Sequence, residues 1–263
     1  CTGPRHADLS RAEIGAVRVV IAWALALLGA CATFHPAEVC GTHDEDGDGI
    51  ADTCDNCPGF ANPEQRDEDD DALGDDCDPA SSGPNTLLLF ESFSELTRWA
   101  PRTGGWEQVG DDVVFTPEDS TRHTLAFAPP FPAPSTLVLE YGVRILAEYQ
   151  GSASIAIAVG NSGTVEGLTC GLSRVVDIDR VELRQPQASP NTFVLADPIA
   201  AGQHFRILMG IDGPQMACIV VDDDGNTAMA PAQRIGFAPA GGMALIASEV
   251  GVRVEYVAVY GNL

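Results

Sequence analysis

The chain contains no lysine. All 14 of its basic residues are arginine, set against 38 Asp and Glu, and the formal net charge is −24. Arginine codons are GC-rich and lysine codons AT-rich, so this usage points to a GC-rich bacterial genome. No basic stripe offsets the negative charge, and a polyanion would be repelled, which excludes nucleic acid as a partner. Aromatic residues make up only 6% of the chain. No apolar run approaches the ~20 residues that a membrane-crossing helix needs. There is no glycine-rich phosphate loop. His123 and His204 have no evident Ser or Cys partner, so a nucleophilic triad is not indicated.

What is present begins with an export signal. Val19 to Ala30 is an unbroken apolar stretch preceded by Arg18, and its length suits the core of a signal peptide. Leu28-Gly29-Ala30-Cys31 resembles a bacterial lipobox, in which the Cys becomes lipidated and N-terminal. Residues 1–30 are therefore expected to be a signal region, and Cys31 to carry lipid at the head of a tether, 31–43. Residues 1–16 lack an initiator Met and contain Asp8 and Glu13. A start at Val17 would leave a compact signal, so 1–16 reads as a start-site artefact. The expected location is the bacterial cell envelope, as an outer-membrane lipoprotein exposed to periplasm or surface. The lipid anchor would be its sole tie to the membrane. Ala32 after the Cys lacks the Asp associated with inner-membrane retention.

Fifteen of the 38 acids fall between Asp44 and Asp78, with Arg66 the one basic residue among them. They follow a twelve-residue pattern that occurs twice. In the first, acids stand at positions 1, 3, 5, 9 and 12: Asp44, Asp46, Asp48, Asp52 and Asp55. In the second the same places hold Asp67, Asp69, Asp71, Asp75 and Asp78. Ile50 and Leu73 occupy position 7, where a backbone carbonyl can ligate. Calcium is a hard cation that takes ~6–8 oxygens, and this spacing can turn alternate carboxylates onto one ion. Position 6 makes the sharp turn, where glycine meets least steric resistance. The first loop has Gly49 there and the second has Ala72.

The flanks carry no amphipathic helices, so helical EF-hands do not fit. The text Asp55-Asn56-Cys57-Pro58, Asn62-Pro63-Glu64-Gln65 and Gly74-Asp75-Asp76-Cys77-Asp78 resembles thrombospondin type 3 repeats. That resemblance covers 44–78 and implies that these Asp residues wrap Ca2+ in a compact, nearly coreless segment. Ala72 and the extra Cys54 depart from the pattern. Metal and disulfides would have to hold such a segment, which would serve as a calcium-stiffened stalk. The even number of cysteines left after Cys31 in an exported chain points to disulfides. The favoured pairs are Cys40–Cys54 and Cys57–Cys77. Zinc at Cys54-x-x-Cys57 with His43 is a competitor, disfavoured by export and by the surrounding hard oxygens.

Residues 79–85 read as a linker by composition. From 86 to 263 short apolar runs recur between Gly, Pro, Asn and Asp: Thr136–Leu146, Ala153–Val159, Gly167–Leu172, Phe205–Ile211, Met216–Val221 and Gly251–Tyr260. Regularly spaced short strands indicate an antiparallel β-sandwich, making the chain mainly β. Phe90-Glu91-Ser92-Phe93, Trp99, Gly105-Trp106, Val113-Val114-Phe115 and a closing strand Val252–Tyr260 resemble the concanavalin A-like (LamG-like) jelly rolls. That resemblance implies a glycan or protein ligand. Cys170 and Cys218 lie in strand-like runs and could bridge. Glycoside hydrolases on this jelly roll carry E-x-D-x-x-E; Asp177, Asp179 and Glu182 come nearest, with Asp in first place and few aromatics to stack a sugar. A non-enzymatic binding lipoprotein is the first expectation. A glycan-acting hydrolase and a structural envelope protein without ligand are the alternatives.

Overall fold

A computed structural model describes residues 40–78, 85–101, 103–127, 136–147, 151–161, 167–235 and 242–261. The expected signal region, the lipidation site at Cys31 and nearly all of the 31–43 tether lie outside the described residues. Among the described residues no helix is long and apolar enough to cross a membrane.

The expected β-sandwich is what forms, from fifteen strands among the described residues. One sheet runs β13 (Thr227–Arg234), β12 (Gln215–Asp222), β11 (His204–Asp212), β6 (Thr136–Ile145), β15 (Val252–Gly261), β4 (Asp112–Phe115), β3 (Trp106–Val109). β1 (Thr86–Glu91) pairs with the C-terminal half of β15, beside the stretch taken by β4. The other sheet runs β10 (Asn191–Val194), β9 (Ile178–Arg184), β8 (Leu168–Val175), β7 (Ser154–Asn161), β14 (Gly242–Ser248), β5 (His123–Phe127), β2 (Trp99–Pro101). All pairings are antiparallel.

Side chains alternate across a strand, and in β6 that puts Leu137, Leu139, Tyr141, Val143 and Ile145 into the core between the sheets. A disulfide joins Cys170 on β8 to Cys218 on β12, crossing that core from one sheet to the other. Cys57 and Cys77 are also bridged, and Cys40 and Cys54 are each disulfide-bonded.

The outer face of the first sheet is not open to water along its middle. β15 has a bulge between Val254 and Tyr256, which resets its alternation. Val254, Val257 and Val259 face the inter-sheet core, while Tyr256, Ala258 and Tyr260 join a second apolar cluster with Cys57, Leu73 and Cys77. Phe60, Leu87, Phe90 and Val138 pack against that cluster. The acidic segment therefore does not stand as a free spacer. Its few apolar groups are too few for a core of their own, and they complete one on the sheet. The Tyr256 ring lies between two glycines. A Cβ on Gly59 of the segment would come within 2.6 Å of Tyr256 Cε2, and one on Gly142 of β6 within 2.5 Å of Cε1.

Beneath the segment Glu140 is only 1% exposed. Arg206 Nε donates to Glu140 Oε1 at 2.7 Å and the Tyr256 hydroxyl donates to the same oxygen at 2.6 Å. The Arg206 guanidinium sits 4.2 Å from the centre of the Phe60 ring, a cation–π contact that is strengthened by exclusion of water. Burial pushes the Tyr256 hydroxyl well above its usual pKa, reinforced by the Glu140 charge.

Substituting Gly142→Ala forces the Tyr256 ring out of its slot. The expected loss is about 1–3 kcal/mol, the usual cost of overpacking, measured by urea unfolding, with faster proteolysis between 44 and 78. Unchanged stability and proteolysis would contradict this packing.

Candidate metal centre

The two acidic loops share most of their hydrogen bonds, one donor to the leading Asp being shifted by a residue. In the first, Asp44 accepts from the backbone N–H of Gly47 and of Gly49, both at 3.0 Å. In the second, Asp67 accepts from Asp71 N at 3.3 Å and from Ala72 N at 2.9 Å. Asp48 Oδ1 accepts from Ile50 N at 2.8 Å, and Asp71 Oδ1 from Leu73 N at 2.9 Å. Asp48 Oδ2 accepts from Asn62 N, and Asp71 Oδ2 from Asn85 N. Asp52 caps Glu45 N as Asp75 caps Glu68 N. The step that takes Asp44 to Asp67 also takes Asn62 to Asn85.

The second repeat therefore reaches Asn85. That residue, read from composition as the end of a linker, is buried and donates through Nδ2 to Asp78 Oδ1 at 2.7 Å. β1 starts at the next residue, so the bonds of Asn85 to Asp71 and Asp78 tie the second loop to the start of the sheet.

These local bonds fold the backbone so that carboxylate oxygens converge. One oxygen each from Asp44, Asp46 and Asp48 lie within 4.8 Å of one another, as do those from Asp67, Asp69 and Asp71. Positions 1, 3 and 5 are thus brought together in both loops. Asp52 and Asp75 lie outside these two groupings. Asp52 also sits 2.6 Å from His43 Nδ1. Asp55 Oδ1 accepts from Cys57 N and from Gln65 Nε2. Its other oxygen is buried with no partner, as is Asp46 Oδ2.

Two orphaned carboxylate oxygens in one loop are costly unless something binds them. Burial pushes the Asp46 carboxyl up to about 6, with the charges of Asp48, Asp55 and Asp44 adding to it. Burial likewise pushes Glu45 up to about 8, against the pull of His43. A hard divalent cation among Asp44, Asp46, Asp48 and Asp55 would satisfy the orphans and cancel the repulsion, so the residues fit calcium.

The turn residues differ between loops. Gly47 and Gly49 have φ of 74° and 95°, and their counterparts Asp70 and Ala72 have φ of 60° and 73°. The second loop keeps the geometry of the first despite Ala72, at the strain of an L-residue in the left-handed region.

His43 fixes the first loop to the sandwich: its Nε2 lies 2.9 Å from Asp111 Oδ2 in the β3–β4 turn. Burial would lower the His43 pKa, but Asp52 and Asp111 outweigh it and hold it above its usual value. Nearby on β15, burial would raise the Glu255 carboxyl, but His204 and Arg144 hold it below its usual value. Glu255 Oε1 accepts from Arg144 Nε at 2.9 Å, and Oε2 lies 3.1 Å from His204 Nε2.

The hydrolase candidates do not converge. β8 and β9 pair in regular register from Thr169–Arg184 to Val175–Ile178, so residues three apart on β9 project to opposite faces. Asp179 faces inward, buried and paired with Arg174 at 2.6 Å, and it accepts from Ile199 N at 2.7 Å. Glu182 faces outward and pairs with Arg184 and Ser173. Asp177 lies in the exposed β8–β9 turn. Without a bulge in β9, Asp179 and Glu182 do not flank one bond, in keeping with the lower place given to the hydrolase alternative. His123 meets Asp119 and Thr121 rather than a nucleophile.

No protein-family model matches the chain, and no curated protein matches it in sequence. Solved structures share its sandwich. The CBM2 module of the evolved Dit of Lactobacillus casei BL23 phage J-1 superposes with a TM-score of 0.51 at 9% identity, covering 67% of this chain and 95% of that one. Lectin I-B4 of Griffonia simplicifolia, in its metal-free form, gives 0.51 at 10%, covering 69% and 100%. The exoplasmic/lumenal domain of VIP36, in its Ca2+/Man3GlcNAc-bound form, gives 0.53 at 10%, covering 66% and 87%. The fold is that of the lectin-like jelly rolls. At these identities the likeness speaks to fold alone.

Two predictions follow from the loop geometry and from Glu255. Ala72→Gly removes a left-handed strain worth about 1–2 kcal/mol, partly offset by the greater unfolded entropy of glycine. The calcium-loaded protein should gain about 0.5–1 kcal/mol in chemical denaturation, and a loss would show that the loop does not hold this φ. Glu255, depressed in the folded state, contributes stability above the ordinary Glu pKa of 4.5 and loses it as pH falls through its lower folded value. Glu255→Gln should flatten the stability-versus-pH curve below about pH 4.5. An unchanged acid limb would contradict the pairing with His204 and Arg144.

Proposed function

We propose that this chain is a calcium-dependent glycan-binding module of a bacterial surface lipoprotein. Loops 44–55 and 67–78 are thrombospondin type 3-like calcium sites. Calcium holds them folded against the sandwich, and the sandwich carries the ligand site. The observation that carries the calcium part is the duplicated carboxylate cluster with its two buried, unpartnered oxygens at Asp46 and Asp55. The glycan part draws support from the lectin-like sandwich, from the Man3GlcNAc held by the VIP36 domain, and from the naming of the phage domain as a CBM2 module. The lipid anchor at Cys31 and the envelope location rest on the lipobox-like sequence. A hydrolase is disfavoured by the opposed faces of Asp179 and Glu182.

Affinities of extracellular calcium modules fall at roughly 0.1–1 mM, and at a hundredfold excess over Kd a single site adds about 2.7 kcal/mol of stability. Thermal unfolding in millimolar calcium and in chelator tests this. The expected result is a calcium-dependent rise in Tm that shrinks in Asp46→Asn and in Asp69→Asn. A Tm indifferent to calcium and chelator would refute the calcium reading.

A further inference from the structure

The two sheets meet along one edge of the sandwich. There β10, the last strand of one sheet, lies by β13, the last of the other. Asn191 Nδ2 donates to Pro231 O at 3.0 Å and Gln185 Nε2 to Arg234 O at 3.3 Å, tying the two sides together. Beside this tie lies a cavity of about 370 Å³, within the size range of small-molecule sites.

Its floor is apolar, with the inward side chains of Phe205 and Val220. Phe193 forms one wall. It pairs in register with Val181, a core residue, yet it is 46% exposed. Across the opening, β13 turns Ala228 and Ala230 toward the core and Met229 outward, where it is 49% exposed. Shifting this strand by one residue would have put the larger side chain inside. The space is thus left by small residues on an edge that has a larger apolar side chain at hand.

The rim is polar. Asp222 accepts from Asp224 N, Asn226 N and Asn226 Nδ2 at 3.0, 2.8 and 3.0 Å, which fixes a carboxylate and an amide at the mouth. Gln203 Oε1 accepts from Ala200 N at 2.7 Å, leaving its NH2 group to donate. Asp197 adds a second carboxylate, and among the described residues no arginine lines the cavity.

We propose that this cavity binds an uncharged pyranose unit of a glycan. One apolar face of the sugar packs on Phe193, and its hydroxyls bond to Asp197, Gln203 and Asn226. Two carboxylates without a cation exclude uronate, sulfate and phosphate sugars. A smaller groove on the outer face of the second sheet, around Arg122, Ser173, Glu182 and Arg184, has no aromatic ring among its described lining residues, and its Glu182 is held by Arg184 and Ser173. The proposal rests on the glycan-binding reading above.

The test is an array of defined neutral and anionic oligosaccharides, probed in calcium with the full chain, Phe193→Ala, Gln203→Ala and Glu182→Gln, each first shown to melt like the wild type. The expected result is binding to neutral glycans, weakened about tenfold or more in Phe193→Ala and in Gln203→Ala and unchanged in Glu182→Gln. Neutral-glycan binding that survives both cavity substitutions would overturn this site while leaving the glycan reading intact. Binding confined to anionic glycans would overturn the proposed ligand class. No binding to any glycan by the wild type would overturn the glycan reading itself.

Discussion

The ring of Tyr256 sits in a slot whose walls are two glycines from distant parts of the chain, Gly59 in the acidic segment and Gly142 in β6. Its hydroxyl shares Glu140 with Arg206, and Arg206 in turn lies over Phe60. This one junction makes the acidic segment part of the domain. A buried Glu140 without partners would be costly, and breaking a buried charge pair typically costs about 3–5 kcal/mol. Both partners of Glu140 are held in turn by contact with the segment. Sheet and segment therefore each complete what the other lacks, an apolar cover on one side and a core on the other.

Charge explains why that junction needs help. The segment carries acids at nearly every other position, and its local fold draws them inward rather than letting them spread. Backbone N–H groups satisfy part of this, one for each oxygen of Asp44, Asp48, Asp67 and Asp71. Asp46 and Asp55 still present oxygens with nothing to accept from. A bound divalent cation would complete them, and it would act at a distance on the sandwich, because the same backbone that would wrap it also positions Gly59, Phe60 and the Cys57–Cys77 bridge against Tyr256.

Much of the sandwich was legible in the sequence because its central strands are buried and continuous. The apolar runs at Thr136–Leu146, Phe205–Ile211 and Met216–Val221 fall on β6, β11 and β12. Edge strands were harder to read. β10 and β13 bury little and include Pro231, so they carry weak periodicity, and the cavity between them left no mark in the pattern. The carboxylate clusters were legible from spacing alone, but their docking was not, although its sign was present. β15 alternates through Arg253 and Glu255 and then becomes apolar on both faces. The bulge at Tyr256 and the covering segment account for that change. Asn85 looked like linker because its role depends on Asp71 and Asp78 in space. The Asp177–Glu182 string, already the weaker reading, puts Asp179 and Glu182 on opposite faces of a β9 that has no bulge.

The most direct measurement of this arrangement is solution NMR of the calcium-loaded protein, observing the Tyr256 ring and the Gly59 α-protons. A ring packed against Gly59 predicts cross-relaxation between them and α-proton shifts displaced by the ring current. Gly59 α-protons at random-coil positions, with no cross-relaxation to Tyr256, would contradict a segment built into the domain.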